Sequence, residues 1–189
     1  MKEMKEIVWH GRGGQGAKTA ATMLAAMAIH AGEYSQGSPE YRPERQGAPM
    51  KGYTRISEDP IRIHSAISHG DIVMVLDATL LSTVDILSTL KEKAVLIVNT
   101  KKTADDVRKE LNAGDDISIH TVDATGISLD EVGRNLPNTP LLGALVKVTG
   151  ILNKDTVVKD LREKFGKKFS EKVVEGNVRA VERAYEEVK

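Results

Sequence analysis

Ile7-Val8-Trp9-His10-Gly11-Arg12-Gly13-Gly14-Gln15-Gly16-Ala17-Lys18-Thr19 passes from a short apolar run through a glycine-rich turn into a helical pattern. A strand, a glycine turn and a helix in that order open an α/β unit. Gly11, Gly13 and Gly16 have dinucleotide-type spacing. Glycine there permits positive φ and lets backbone N–H groups approach an anion at the helix N-terminus, and Arg12 and Lys18 add positive charge. The P-loop pattern fails, because no Lys-Thr pair stands at the required place after Gly16. A dinucleotide fold also wants an acid at the end of its second strand, and Glu33, at the start of the Tyr34 run, supplies it poorly. Two readings remain open: an anion-binding loop, or a tight turn with no ligand.

Working outward, Ile72-Val73-Met74-Val75-Leu76 and Ala94-Val95-Leu96-Ile97-Val98 are continuous apolar runs of the kind expected for buried parallel strands, and 117–122 alternates. Helical stretches are expected over 79–90 and 104–111. The tail reads as three helices, over 140–152, over 156–165 and after a capping Ser170, where Val174, Val178, Val181, Tyr185 and Val188 form an apolar stripe. Strands separated by helices imply right-handed crossovers. The expected fold is therefore α/β: a single three-layer domain over 1–189 with a mostly parallel sheet, a β-hairpin insertion and C-terminal helices. The first helix has almost no polar face from Ala20 to Ala31, which fits either an internal helix under the sheet or one partly covered by a partner subunit.

Residues 35–48 show neither helical nor strand period and are punctuated by Gly37, Pro39, Pro43 and Gly47, so an ordered functional loop is expected. A hairpin is expected to follow, with strands over 51–57 and 61–65 and a turn at Glu58-Asp59-Pro60. Between Trp9 and Arg55 six basic residues (Arg12, Lys18, Arg42, Arg45, Lys51, Arg55) face three acidic ones (Glu33, Glu40, Glu44), a local +3 suited to phosphates or an acidic partner.

That local charge sits in a chain of 189 residues with 27 Lys plus Arg and 27 Asp plus Glu, so the formal net charge is zero. This balance argues against nucleic acid or an anionic membrane as the main partner. No apolar run approaches the roughly 20 residues of a membrane span, and the N-terminal residues form no apolar core of a signal peptide, so a cytoplasmic location is expected. With no cysteine, the chain cannot ligate an iron–sulfur cluster through thiolates, form a disulfide or offer a cysteine nucleophile. Asp77, Asn99, Thr100 and Asp123 fall where strands end, either lining a ligand crevice or capping helices. The five histidines show no metal-ligand spacing, and neither a nucleophile elbow nor an acid–base pair of carboxylates stands out.

Two motifs, taken together, are more specific. Trp9-His10-Gly11-Arg12-Gly13-Gly14-Gln15-Gly16-Ala17 followed by Pro39-Glu40-Tyr41-Arg42-Pro43-Glu44-Arg45-Gln46-Gly47-Ala48-Pro49 resembles the gamma subunit of 2-oxoacid:ferredoxin oxidoreductases, most closely the pyruvate type. The run from Asp71-Ile72-Val73 to Asp77 and Leu80-Leu81 is similar as well, and Arg42 departs from a glycine common in relatives. The resemblance implies a subunit of a complex that converts a 2-oxoacid, coenzyme A and oxidised ferredoxin into an acyl-CoA, carbon dioxide and reduced ferredoxin. It also implies alpha, beta and delta-type partner subunits that hold thiamine diphosphate, magnesium and the iron–sulfur clusters, with ferredoxin as acceptor and no cofactor held by this chain alone. The contact positions it implies are Gly11, Arg12, Gly13, Gly14, Gln15 and Gly16 with Lys18, and Glu40, Arg45, Gly47 and Ala48. Arg12, Lys18 and Arg45 are the expected phosphate neighbours on the coenzyme A side, and no residue of this chain is expected to be catalytic. The alternatives are a purely structural assembly subunit, the same complex acting on 2-oxoglutarate or branched-chain 2-oxoacids, and a stand-alone NAD-binding enzyme.

Overall fold

The computed structural model describes residues 4–39 and 46–189. Its centre is a six-stranded sheet in the order β2-β3-β1-β4-β5-β6. Strands β1 (Lys5–Arg12), β4 (Gly70–Val75), β5 (Leu90–Asn99) and β6 (Ser118–Val122) pair in parallel. On the other side of β1, β3 (Pro49–Ser57) runs antiparallel to it, and β2 (Tyr34–Pro39) runs antiparallel to β3 at the edge.

The continuous apolar runs are explained by burial on both faces. Ile72, Met74 and Leu76 point into one core cluster while Val73 and Val75 point into the other, as the period of two requires. The first face is covered by α1 (Ala17–His30), α4 (Asn138–Thr149), α5 (Lys154–Gly166) and α6 (Glu171–Glu187), with α3 (Ala124–Val132) beside α6. The second carries α2 (Ala104–Leu111) and two short 3₁₀ turns, Ala78–Ser82 and Leu87–Thr89. The mostly parallel three-layer α/β architecture expected from the sequence is the one observed.

Helix α1 is alanine-rich because it lies almost on the backbone of β2 and β3. A Cβ added at Gly37 would meet Ala25 Cβ at 2.9 Å, and one at Gly52 would meet Ala21 Cβ at 3.0 Å. The Trp9 indole N–H donates to the Thr54 hydroxyl (3.1 Å), which donates to the Ala21 carbonyl (2.9 Å), locking β1, β3 and α1 together. Helix α1 is buried from Ala20 to Ala28 except for half-buried Thr22 and Ala26, and exposes only its ends at Lys18, Thr19, Ile29 and His30, while α4 is fully buried from Asn138 to Val146 and exposes Lys147.

Several expectations need correction. The stretch 79–90 is not an α-helix but two 3₁₀ turns running into β5 at Leu90, and its own hydroxyls compete for the helical carbonyls: Ser82 and Thr83 both donate to Thr79 O, and Ser88 to Asp85 O. The hairpin is formed by β2 and β3, not by 51–57 and 61–65. Both edges of β3 are already taken, and residues 61–65 are held instead by side chains, Gln36 to Ile61 O and Arg55 to Ser65 O. The stretch 35–39, expected as loop, belongs instead to strand β2, which pairs with β3. Helix α3 was not anticipated; Asp123 caps it through Gly126 N (2.9 Å) and Gly133 ends it in the left-handed region. Ser170 occupies the N-cap of α6 with no capping hydrogen bond from its side chain. No helix among the described residues is long and apolar enough to cross a membrane.

Candidate functional site

The glycine loop leaves the carboxyl end of β1, the edge of a parallel sheet where ligands of α/β proteins sit. Gly14 and Gly16 adopt φ of 94° and 85°, values closed to most side chains. Gly16 is the N-cap of α1 and offers no side-chain cap, and the first turn of that helix carries no acid. Its leading N–H groups are thus left for other acceptors, with Lys18 exposed beside them. Gly11 lets the helix fold back closely, since a Cβ there would stand 3.0 Å from Ala17 Cβ.

The second motif arrives at the same place. Strand β3 pairs with β1 in the register Arg12↔Pro49, so the residues just before β3 lie against the glycine loop. Gly13 N donates to Ala48 O at 3.0 Å and Gly47 N donates to Gly13 O at 3.2 Å. The described end of the second motif, Gly47 and Ala48, therefore lies directly against the first, about thirty-four positions away along the chain. Of the residues the sequence singled out, Gly11, Arg12, Gly13, Gly14, Gln15, Gly16, Lys18, Gly47 and Ala48 come together; Glu40 and Arg45 lie outside the described residues, as do Tyr41, Arg42 and Glu44.

Charge is distributed differently from the simple tally. Arg55 belongs to the opposite end of β3, buried against Glu6 at 2.9 Å, and contributes nothing to the loops. Arg12 is engaged internally: Nε and Nη2 donate to the Thr79 hydroxyl (3.2 and 2.9 Å), Nη1 to Gly47 O (3.1 Å), and Nε lies 3.3 Å from Asp77 Oδ2. Lys18 has no hydrogen bond or ion pair among the described residues and is a cation available to a ligand at the helix N-terminus.

The strand-end residues divide by role. Asn99 is structural, its amide donating to Leu76 O and Thr125 Oγ1 (both 2.8 Å) and its carbonyl accepting from Thr125 N. Asp123 caps α3. Asp77 does more, receiving Thr79 N and Oγ1 on one oxygen and Gln15 Nε2 on the other. Burial pushes its carboxyl up, but the hydrogen bonds from Thr79 and Gln15 and the Arg12 guanidinium outweigh that and hold it below the ordinary aspartate range.

Two residues not singled out by sequence reasoning flank the glycine loop, His10 on the α2 face of the sheet and Asn138 on the α4 face. His10, 2% exposed, faces Thr89 with Nε2 at 3.1 Å from Oγ1. The Thr89 proton is already given to Ile86 O (2.7 Å), so the hydroxyl accepts and His10 carries its proton on Nε2. Burial, aided by the Lys51 ammonium, pushes the imidazole down to about 4, so it is neutral and pinned. Asn138, at the start of α4, sits against Gly16, and its Oδ1 is buried with no hydrogen-bond partner among the described residues. A polar residue just before an apolar helical run was its only sequence signal. The arrangement suits binding an anionic, extended ligand on backbone amides. Among the described residues it brings together no nucleophile with a base and no acid–base pair of carboxylates. An open cleft of about 870 Å³ lies at the opposite, amino edge of the sheet, among Lys5, Asp71, Lys91 and Gly150, away from these loops.

Comparison with known proteins is consistent along the whole chain. Residues 6–187 match the family model described as pyruvate ferredoxin/flavodoxin oxidoreductase. The chain is 50% identical over 188 residues to pyruvate synthase subunit PorC of Thermotoga maritima, covering 100% of this chain and 96% of that protein. It is 43% identical over 182 residues to the pyruvate/ketoisovalerate oxidoreductases common subunit gamma of Thermococcus kodakarensis, covering 96% of each. The crystal structure of pyruvate oxidoreductase subunit PORC from Thermotoga maritima superimposes with a TM-score of 0.87 at 46% identity, covering 100% of this chain and 98% of that one.

Proposed function

The chain belongs to the pyruvate ferredoxin/flavodoxin oxidoreductase family, and from that premise we propose that it is the gamma-type subunit of a multi-subunit pyruvate:ferredoxin oxidoreductase, contributing its glycine-loop surface to the coenzyme A side of the active site. The complex oxidatively decarboxylates pyruvate with coenzyme A, yielding acetyl-CoA and carbon dioxide while two electrons leave to ferredoxin. Thiamine diphosphate, with magnesium, supplies the stabilisation of the decarboxylated carbon, and iron–sulfur clusters supply the electron path. This chain has no cysteine, so its donor set does not fit a thiolate-held cluster, and the clusters are assigned to partner subunits of alpha, beta and delta type. On this reading residues 1–189 form one gamma-type domain located in the cytoplasm.

The observation that carries the reading is the contact of the two motifs, Gly13 with Ala48 and Gly47, on a free helix N-terminus next to Lys18. Backbone N–H groups and Lys18 would receive a phosphate of coenzyme A, with Gly14 and Gly16 leaving room for close approach. Glu40 and Arg45, from the second sequence motif, are proposed contacts as well. Arg12 serves this site by holding the loops, not as a free phosphate ligand.

The reading is tested by purifying the tagged chain from its native cells and assaying the eluate. Companion subunits and pyruvate- and coenzyme A-dependent ferredoxin reduction are expected. Elution without partners, or an assembly that reduces nothing with pyruvate, would overturn it. The name of the Thermococcus relative favours one second reading, that this chain is shared with a branched-chain 2-oxoacid complex; the same eluate would then also turn over 2-oxoisovalerate.

A further inference from the structure

Asp77 stands where β4 ends, and its two carboxylate oxygens have different duties. Oδ1 accepts from the Thr79 backbone N–H (2.9 Å) and hydroxyl (2.7 Å), which starts the 3₁₀ turn Ala78–Ser82. Oδ2 turns the other way, accepting from Gln15 Nε2 at 2.6 Å and lying 3.3 Å from Arg12 Nε. A helix cap needs only the first oxygen. The second reaches both loops. Gln15 passes the contact on, its Oε1 accepting from the Arg12 backbone N–H at 2.8 Å, while the Arg12 guanidinium extends to Gly47 O at 3.1 Å.

We propose that Asp77 is a positioning residue that braces the Gly11–Gly16 loop and the Gln46–Ala48 loop against each other, through Gln15 and Arg12, in the shape that receives the ligand. That the ligand is coenzyme A rests on the function proposed above; the brace itself does not. Without it the glycine loop has three positions able to relax, since Gly13, Gly14 and Gly16 restrain the backbone least. An anion-binding loop works by holding its N–H groups ready before the ligand arrives, so a loop free to relax binds less tightly.

The donor and acceptor pattern around the brace makes the idea testable. Asp77 Oδ2 must accept, Gln15 Nε2 donate, Gln15 Oε1 accept and Arg12 N–H donate. Asp77→Asn can keep the cap but then turns an NH₂ towards the Gln15 NH₂. Rotating the Gln15 amide only moves the conflict to the Arg12 N–H. Adding Gln15→Glu removes it, because both oxygens of the new carboxylate accept and the net charge is unchanged.

The first measurement is amide hydrogen exchange of the full chain. Asp77→Asn is expected to speed exchange at Gly13 and Gly47 about tenfold, the effect of losing one hydrogen bond to a charged group, with β5 amides unchanged. Asp77→Asn with Gln15→Glu is expected to return both to within about threefold of native. Gln15→Met, which cuts the link without touching the cap, should reproduce the loosening if the Asp77 variant folds poorly. Unchanged exchange at Gly13 and Gly47 in Gln15→Met, or no recovery in the double variant, overturns the brace. In the assembled complex, Asp77→Asn is expected to raise the KM for coenzyme A about tenfold with kcat within about twofold. Lys18→Ala, assayed alongside, separates the two claims: if it raises that KM while Asp77→Asn leaves exchange unaltered, the brace fails and the ligand stands. If exchange rises but neither variant moves the KM, the brace stands and coenzyme A is the wrong ligand.

Discussion

Lowering the pH from 7.5 to 4 should expose the cost of keeping His10 neutral. In the fold its imidazole is almost fully buried between β1 and the Leu87–Thr89 turn, its one donor committed to Thr89, and its pKa pushed from 6.5 to about 4 by burial first and the Lys51 charge second. In the unfolded chain the ring titrates near 6.5. The folded value is the lower one, so the unfolded state takes up the proton first as pH falls. Stability is therefore full above about 6.5, declines between about 6.5 and 4, and stops declining from this source below that. A gap from 6.5 to about 4, at about 1.4 kcal/mol per pH unit, gives a loss of about 3 kcal/mol. Urea unfolding of the full chain, with and without His10→Gln, isolates the contribution. Gln keeps a donor for Thr89 but does not titrate, so the native chain's stability should fall against the variant's by about 3 kcal/mol between pH 7.5 and 4. A difference that stays flat across this range would refute the reasoning, and would mean that the ring is protonated in the fold or open to water.

Two further substitutions test the packing around the site. A Cβ at Gly143 would collide with the Val181 carbonyl of α6, so Gly143→Ala should force α4 and α6 apart. A loss of about 3 kcal/mol, or roughly 6–12 °C in Tm, is expected in thermal denaturation; a change below about 1 kcal/mol would contradict the close crossing. Asn138→Leu removes, at nearly constant volume, a buried acceptor that lacks a partner among the described residues, and is expected to stabilise the isolated chain by about 1 kcal/mol in urea titration. A loss of stability of that size would show that Oδ1 is satisfied by a buried water.

Much of the sheet was legible because burial on both faces leaves a mark in composition. Ile72 to Leu76 and Ala94 to Val98 have no polar alternation, and that is the trace of a central parallel strand. The glycine turn after Trp9 was legible for a local reason, the need for positive φ at Gly14 and Gly16. What stayed hidden depends on partners distant in sequence. Strand β2 has a loop-like composition because Gly37 must admit α1; only its pairing with β3 makes it a strand. Residues 79–90 carry a helix-like apolar spacing, but Asp77 and the Thr and Ser hydroxyls draw the backbone into 3₁₀ turns. A charge count could not reveal that Arg55 is buried against Glu6 or that Arg12 is occupied by Thr79, Gly47 and Asp77. Nor could it reveal that Asp77, which looked like one cap among several, faces the glycine loop with its second oxygen.

The most direct measurement is the KM for coenzyme A in the assembled complex carrying Lys18→Ala. Lys18 is the exposed, unengaged cation beside the free N-terminus of α1 among the described residues, so losing its contact with a phosphate should raise that KM about 10- to 100-fold, the range for a hydrogen bond to a charged group. The KM for pyruvate should stay unchanged. An unaltered KM for coenzyme A in a complex of normal composition and kcat would contradict the assignment of this surface to the coenzyme A side.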